Sequence, residues 1–145
     1  MKILVVNGPN LNLLGKSDTS AYGNKTLDEI NVLLTTEAQK ENVELIFFQS
    51  NHEGALIDFL QKESENAQGI LINPGALTHY GYSLRDALVD TKLPIIEVHL
   101  SDINNREDFR KIDVIKDIVK EVVMGLKEES YVKGLERLID YIKKF

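Results

Sequence analysis

The chain has 145 residues, of which 43% are hydrophobic and 28% charged, so we expect one globular domain that covers residues 1–145. The formal net charge is −6, from 17 basic and 23 acidic side chains, which disfavours general binding to nucleic acid. The lack of cysteine excludes disulfides, thiolate catalysis and cysteine-based metal sites. No apolar run approaches the roughly 20 residues of a membrane span, and the N-terminal run is too short for a signal peptide. We therefore expect a cytoplasmic protein with no membrane partner.

Short β-rich runs alternate with amphipathic helical patterns along the chain. The runs that predict strands are residues 3–6, 43–48, 70–72 and 95–98. Residues 118–124 fit a fifth strand and also fit a helix.

The helical patterns begin at recognisable caps. Thr26 and Glu29 have the spacing of a capping box, which predicts a helix that runs to about Lys40. Ser50 and Glu53 repeat that spacing ahead of the apolar positions 55, 56, 59 and 60. The remaining patterns are a short helix at residues 84–89 and a closing helix with Leu135, Leu138, Ile139 and Ile142 on one face.

Alternation of strands and helices predicts a parallel sheet with right-handed crossovers and helices on both faces. Four or five such units in a chain of this length predict an α/β fold, a flavodoxin-like, doubly wound, five-stranded parallel sheet.

Residues 10–25, which we call the lid, have no clear periodicity. The usual connection between a strand and its helix has about 2–6 residues, so this one is unusually long. Long loops of this kind often cover a binding site, and the position directly after the first strand favours that function.

Polar residues gather after the predicted strands, where an open parallel sheet binds its ligands. All three histidines and two of the four arginines lie in these segments. We interpret Ser50, Asn51 and Asp102 as caps or loop hydrogen bonds, and His79 and His99 as functional, since histidine is the natural acid–base group near neutral pH.

Several common sites have no support in the sequence. The chain lacks a dinucleotide or nucleotide-phosphate motif, a serine-hydrolase elbow and the aspartates of a phospho-acceptor domain. A metal site could be drawn from His79, His99 and Glu97, but their spacing matches no metal motif, so no metal is predicted. The remaining amides, imidazoles, hydroxyls and guanidiniums, together with Tyr22 in the lid, suit a small polyhydroxy carboxylate.

Several blocks of the sequence resemble the signatures of the type II 3-dehydroquinate dehydratase family. The blocks are residues 7–15 with 22–23, residues 48–54, residues 73–76, 78–80 and 84–88, and residues 96–101 with 106–107 and 109–110. Together they extend in register from Lys2 to Arg110.

The resemblance implies anti elimination of water from 3-dehydroquinate through an enolate, with no cofactor. By the match, Tyr22 is the base, His99 is the general acid, and Asn10 stabilises the enolate oxygen. The groups that the match assigns to substrate binding are Asn73, His79 and Arg110, the backbone amides of Leu100 and Ser101, and Asp86 from a neighbouring subunit of a homododecamer built from trimers.

The chain departs from the family in the lid and near the end. Ser17 stands where the family usually has an arginine, and residues 125–130 replace a glycine-rich stretch. A tyrosine base needs a nearby cation, because a tyrosine in water has a pKa of about 10. We expect Lys16 to supply that charge in part, or else Arg106 or Arg110. The alternative is an impaired relative that binds a small carboxylate without turnover.

Overall fold

The structure, a computed structural model, describes residues 1–16 and 18–144. These residues form one sheet of five parallel strands in the order β2-β1-β3-β4-β5. The strands are β1 (Lys2–Asn7), β2 (Glu44–Gln49), β3 (Gly69–Asn73), β4 (Ile95–His99) and β5 (Glu121–Met124). The α-helices are α1 (Thr19–Tyr22), α2 (Leu27–Lys40), α3 (Glu53–Glu63), α4 (Tyr82–Thr91) and α5 (Glu129–Lys144). The predicted flavodoxin-like fold is confirmed.

The sheet is buried on both faces, which explains the nearly continuous apolar sequence of its strands. In β1, Ile3 and Val5 pack in the core under α2 and α5, while Leu4 and Val6 pack in the core under α3 and α4. All four of these side chains are fully buried. Within the described residues, no helix combines the length and the apolar composition of a membrane span.

One of the two predicted capping boxes is present. The Thr26 hydroxyl accepts a hydrogen bond from the Glu29 amide, and the Glu29 carboxylate accepts one from the Thr26 amide, 3.0 Å away. The second box is wrong, because Ser50 accepts from the amide of His52, and Glu53 accepts from the amide of Leu84. Glu53 therefore caps the start of α4 rather than its own helix.

The predicted strands are all present, and the main differences lie at the ends of elements. The fifth strand begins at Glu121, because Lys116–Ile118 forms a 3-10 turn. Helix α4 begins two residues before the predicted start, where Tyr82 is exposed and adds nothing to the apolar pattern. The lid is less irregular than predicted, since it contains the 3-10 segment Leu11–Leu13 and helix α1.

The order in which strands are added to the sheet reverses between β1 and β3. Two glycines let the loops that follow these two strands approach each other. The Gly8 amide donates to the Asn73 carbonyl, and a Cβ on Gly8 would lie 2.2 Å from the carbonyl oxygen of Pro74. Gly75 has φ +61°, and a Cβ there would lie 2.9 Å from the Pro9 carbonyl oxygen. Backbones this close leave no room for a side chain, and the contact fixes the topological switch point of the sheet.

Candidate active site

A cavity of about 230 Å³ opens at this switch point, beyond the carboxyl ends of β1, β3 and β4. We call it the switch-point cavity. Most of the predicted site residues line it, and they are Asn10, Tyr22, Asn73, His79, His99, Leu100, Ser101, Arg106 and Arg110. The sequence therefore predicts most of the polar residues that line the cavity.

Two predicted residues in the described part of the chain, Asp86 and Lys16, do not line the switch-point cavity. Asp86 is exposed on α4. Lys16 is also exposed and lines a different hollow, with Asn12 and Asp28. Ser17 lies outside the described residues.

Tyr22 is held at the cavity by the short helix α1 and by an arginine. Asp18 caps α1, because its carboxylate accepts a hydrogen bond of 3.0 Å from the Ser20 amide. Arg106 Nη1 donates a hydrogen bond to the Tyr22 hydroxyl oxygen, and the guanidinium carbon lies 5.1 Å from the ring centroid. A cation in this position stabilises a phenolate relative to a phenol.

The segment after β4 brings a second arginine to the cavity. Arg110 Nε donates to Glu107 Oε2 at 2.8 Å, and this bond is the largest cause that lowers the pKa of Glu107. Arg106 Nη1 also lies 3.5 Å from the Ser101 hydroxyl. The two guanidiniums give this side of the cavity the positive character that a carboxylate ligand requires.

His99 is buried opposite a carboxyl group that the sequence pattern had left without a role. His99 Nε2 lies 2.5 Å from Glu97 Oε2, so a hydrogen must lie between these two atoms. Both residues are buried, with 5% and 0% exposure. Burial lowers the pKa of His99 to about 4, and burial raises the pKa of Glu97. The imidazole is therefore neutral near pH 7 in the free protein.

Asp113 is a site residue that the sequence did not predict. Thr78 Oγ1 lies 2.6 Å from Glu97 Oε2 and 3.1 Å from Asp113 Oδ1. One ligand atom from each of Glu97, His99 and Asp113 lies within 4.8 Å of the others. A glutamate inside an apolar strand was a signal that could have pointed to this cluster, whereas nothing in the sequence near Asp113 marks it.

Asn73 is fixed from behind by a buried tyrosine. Asn73 Nδ2 donates to the Tyr131 hydroxyl at 2.9 Å, and that hydroxyl donates to Asn7 Oδ1 at 2.6 Å. The side-chain oxygen of Asn73, Oδ1, accepts from the Gly75 amide. Tyr131 is 1% exposed, and burial raises the pKa of its hydroxyl above the usual value for tyrosine. The amide of Asn73 thus has one orientation, with a second Nδ2 hydrogen left for a ligand.

The other polar residues of the cavity also have defined orientations. His79 Nδ1 must carry a hydrogen, because its partner at 2.6 Å is the Ile112 carbonyl oxygen, which can only accept. Asn10 adopts a left-handed backbone, with φ 69°, and its amide donates to Asn51 Oδ1 at 2.9 Å. These bonds leave the second nitrogen of His79 and the side chain of Asn10 for a ligand.

The residues interpreted as caps or loop hydrogen bonds have these contacts. Asp102 accepts from the Asn104 amide at 3.0 Å, and Ser50 and Asn51 accept the backbone bonds given above. The altered stretch 125–130 lies beside the lid, where a Cβ on Gly23 would come within 3.1 Å of Glu128 Oε2. The Lys127 amide donates to the Leu100 carbonyl, so this stretch also contacts the end of β4.

Comparison with known proteins places the chain in a family. The family model for class II dehydroquinase matches residues 1–139. The chain belongs to the class II dehydroquinase family. The 3-dehydroquinate dehydratase of Roseiflexus castenholzii is 55% identical over 139 residues, which cover 96% of this chain and 88% of that protein. The 3-dehydroquinate dehydratase of Halothermothrix orenii is 46% identical over 99% of this chain and 97% of its own length.

A solved structure of the same family has the same fold. The crystal structure of type II dehydroquinase from Butyrivibrio crossotus superposes with a TM-score of 0.93 and 42% identity, and it covers 96% of this chain and 97% of that one. The family resemblance found from separate sequence blocks is therefore confirmed over nearly the whole chain.

Proposed function

We propose that the chain is a 3-dehydroquinate dehydratase that eliminates water from 3-dehydroquinate, by anti stereochemistry through an enolate, to give 3-dehydroshikimate. The observation that carries this proposal is the contact between Arg106 and the Tyr22 hydroxyl in a cavity that also contains His99. An elimination needs a base for a C–H proton and an acid for the departing hydroxyl, and these two groups supply them.

Tyr22 acts as the base that removes the C2 proton. That proton lies next to a ketone, so its removal produces an enolate. The guanidinium of Arg106 contacts both the hydroxyl and the ring face of Tyr22, so a positive charge lies beside the oxygen that receives the proton. Lys16 was the other candidate for this charge, but it lines a separate hollow.

The enolate oxygen carries the negative charge that develops in the transition state. Asn10 stabilises it, directly or through a bound water molecule. Its left-handed backbone and its bond to Asn51 fix its position before substrate binds. Preorganised donors of this kind are worth about 10²–10³ in rate.

His99 protonates the departing C1 hydroxyl. Glu97 orients the ring through the 2.5 Å contact with Nε2, so Nδ1 is the nitrogen that serves the substrate. Burial of both residues keeps the pair dry, which strengthens the orientation.

The remaining polar lining holds the substrate. The amides of Leu100 and Ser101 bind the carboxylate, and Asn73, His79 and Arg110 bind hydroxyls. Tyr131 restricts the amide of Asn73 to one orientation, which suits a rigid cyclic polyol.

We further propose that the protein is a cytoplasmic, single-domain homo-oligomer, a homododecamer built from trimers, with Asp86 completing the site of a neighbouring subunit. Asp86 lies between Tyr82 and Val89 on α4, at helical spacings that place all three on one face. Tyr82 is 65% exposed and Val89 is 48% exposed. An exposed apolar face around a charged residue favours contact with another chain.

The alternative is a protein that binds a small carboxylate without turnover, because Ser17 stands at the usual position of the lid arginine. Such a protein would keep the cavity but would have no use for an arginine bonded to a tyrosine hydroxyl. The test is to incubate the purified protein with 3-dehydroquinate and follow the absorbance of the enone product. Tyr22→Phe and His99→Ala are the matched inactive variants. Calorimetric binding of substrate with no enone formation would support the alternative.

A further inference from the structure

Glu97 and Asp113 form a buried carboxyl pair beside His99. Thr78 is the common neighbour, with its hydroxyl oxygen 2.6 Å from Glu97 Oε2 and 3.1 Å from Asp113 Oδ1. Asp113 also accepts from the Ile115 amide, which orients its carboxyl group. The pair is therefore held together by the backbone and by a shared hydroxyl.

The hydrogens available to this pair are too few for two carboxylates. Glu97 Oε2 has two donors, Thr78 and His99, and Asp113 Oδ1 has the Ile115 amide. In the described part of the chain, no donor reaches Glu97 Oε1 or Asp113 Oδ2, although both atoms are buried. A buried polar atom without a partner destabilises the folded protein. With one proton on the pair, one carboxyl group donates to the other, and the two side chains are close enough for that hydrogen bond.

We propose that Glu97 and Asp113 share one proton at neutral pH, that Glu97 passes this proton to His99 during the acid step, and that Asp113 is a positioning residue that keeps the proton on the pair. This inference rests on the proposed dehydratase function. One oxygen of Glu97 and one of Asp113 lie within 4.8 Å of each other. Two negative charges this close repel each other strongly, so sharing one proton is favourable.

The charges around the pair are consistent with one proton near pH 7. Burial, followed by the hydrogen bond with Glu97 and repulsion from it, raises the pKa of Asp113 to about 7. The charge of Lys116 acts in the opposite direction on the pKa of Glu97. The charge of Asp113 partly opposes the effect of burial on the pKa of His99. The three groups therefore titrate as a coupled set.

The shared proton has two places in this geometry. One lies between Glu97 and Asp113, and the other lies in the 2.5 Å contact between Glu97 Oε2 and His99 Nε2. In the second place, Nε2 accepts, and Nδ1 of the neutral ring carries a hydrogen that can be donated.

With the proton in this position, His99 can act as an acid although its ring is neutral before substrate binds. His99 Nδ1 gives its proton to the C1 hydroxyl, the C1–O bond breaks, and water leaves. Glu97 returns the proton of the pair to His99 Nε2, so both carboxyl groups become ionised. The proton that Tyr22 removed from C2 passes to solvent, and one proton from solvent restores the pair.

The first experiment detects the shared proton itself, without substrate. Infrared spectra of the wild-type protein should contain a protonated carboxyl band at about pH 6 that disappears through about pH 7. Asp113→Asn should lose the change in this band through pH 7, because Glu97 then has no second carboxyl group with which to share the proton. Asp108→Asn, an exposed neighbour in sequence, should keep it. A wild-type protein without the band would overturn the proposal, including the case of a bound divalent cation, which requires both carboxylates ionised.

The second experiment connects the proton to turnover. Wild-type kcat should fall about tenfold between pH 6 and pH 8, as the pair loses its proton. In Asp113→Asn this limb should move by more than about one pH unit with KM changed less than about threefold, and Asp108→Asn should match wild type. An Asp113→Asn protein with the wild-type pH profile would overturn the link to His99. A wild-type protein without dehydratase activity would instead contradict the proposed function, while the infrared result would still decide whether the pair exists.

Discussion

The guanidinium of Arg106 contacts the hydroxyl of Tyr22 across 84 positions of sequence, and it also lies against the face of the same ring. The contact joins the lid to the segment after β4. It places a positive charge at the proposed base and brings together two residues that belong to separate sequence blocks.

Arg106→Gln should therefore reduce kcat by about 10²–10³, since it removes the cation that stabilises the phenolate. Lys16→Gln should have a much smaller effect, because Lys16 lies in another hollow. Steady-state kinetics of both variants over a range of pH, with circular dichroism as a check on folding, give the comparison. The reverse order of effects would assign the lid charge to Lys16, as the first sequence-based hypothesis has it.

Most of the fold was accessible from the sequence because strand and helix periods are local properties. The apolar runs predicted five parallel strands, and Thr26 marked the start of α2 correctly. The box at Ser50 failed because Glu53 bonds to Leu84, a partner in another helix that no local pattern reveals.

The site was predictable to the extent that its residues follow strands. Asn73 and His99 lie at strand ends, so the switch-point rule places them together. Asp113 and Tyr131 come from later segments that fold back onto β3 and β4, so their contacts depend on tertiary packing. The sequence also could not decide which cation lies beside Tyr22, because that contact depends on tertiary packing.

Tyr131→Phe should lower the free energy of unfolding by about 1–3 kcal/mol, because it leaves the buried amides of Asn7 and Asn73 without their common partner. It should also raise KM more than it lowers kcat, since Asn73 would lose its fixed orientation. Chemical denaturation and kinetics measure the two effects. Tyr80→Phe, at an exposed tyrosine, is the matched control, and equal effects of the two variants would contradict the positioning role.

Asp113→Asn should change how stability depends on pH. The folded-state pKa of Asp113 is raised from 3.8 to about 7, so the folded protein holds a proton that the unfolded chain has lost over this range. The carboxyl's contribution to stability is thus present below about pH 4 and is lost as pH rises through 7. The stability of Asp113→Asn relative to wild type should increase from pH 4 to pH 7.

Urea denaturation at several pH values measures this difference. The lowered pKa of His99 acts in the opposite sense, because its contribution is present above about pH 6.5 and is lost as pH falls towards 4. The difference in stability between wild type and Asp113→Asn cancels most of the His99 contribution, because both proteins contain His99. A pH-independent difference between them would mean that Asp113 is ionised in both states.

Chelation and borohydride should leave activity within a few-fold of the untreated protein. Glu97, His99 and Asp113 lie close enough to bind a cation, so treatment with a chelator tests the proton-sharing interpretation directly. Borohydride tests for an imine between a lysine and the ketone. Loss of activity that added divalent metal restores would assign the cluster to metal binding, and inactivation by borohydride only in the presence of substrate would reveal a covalent imine.

Asp86 provides the test of a site shared between subunits. It lies on an exposed, partly apolar face of α4 and outside the switch-point cavity of its own chain. Asp86→Ala and Tyr22→Phe should each be nearly inactive alone. After subunit exchange at equal amounts, about a quarter of the sites in a cyclic assembly should combine an intact Tyr22 with an intact Asp86 from the neighbour, and activity should return in that proportion.

A mixture of Tyr22→Phe with His99→Ala is the control, because these two residues line the cavity of one chain, so no site can recover both. Mass spectrometry of the mixed oligomers verifies exchange. Full exchange without any return of activity would show that Asp86 acts within its own chain or has no part in the site.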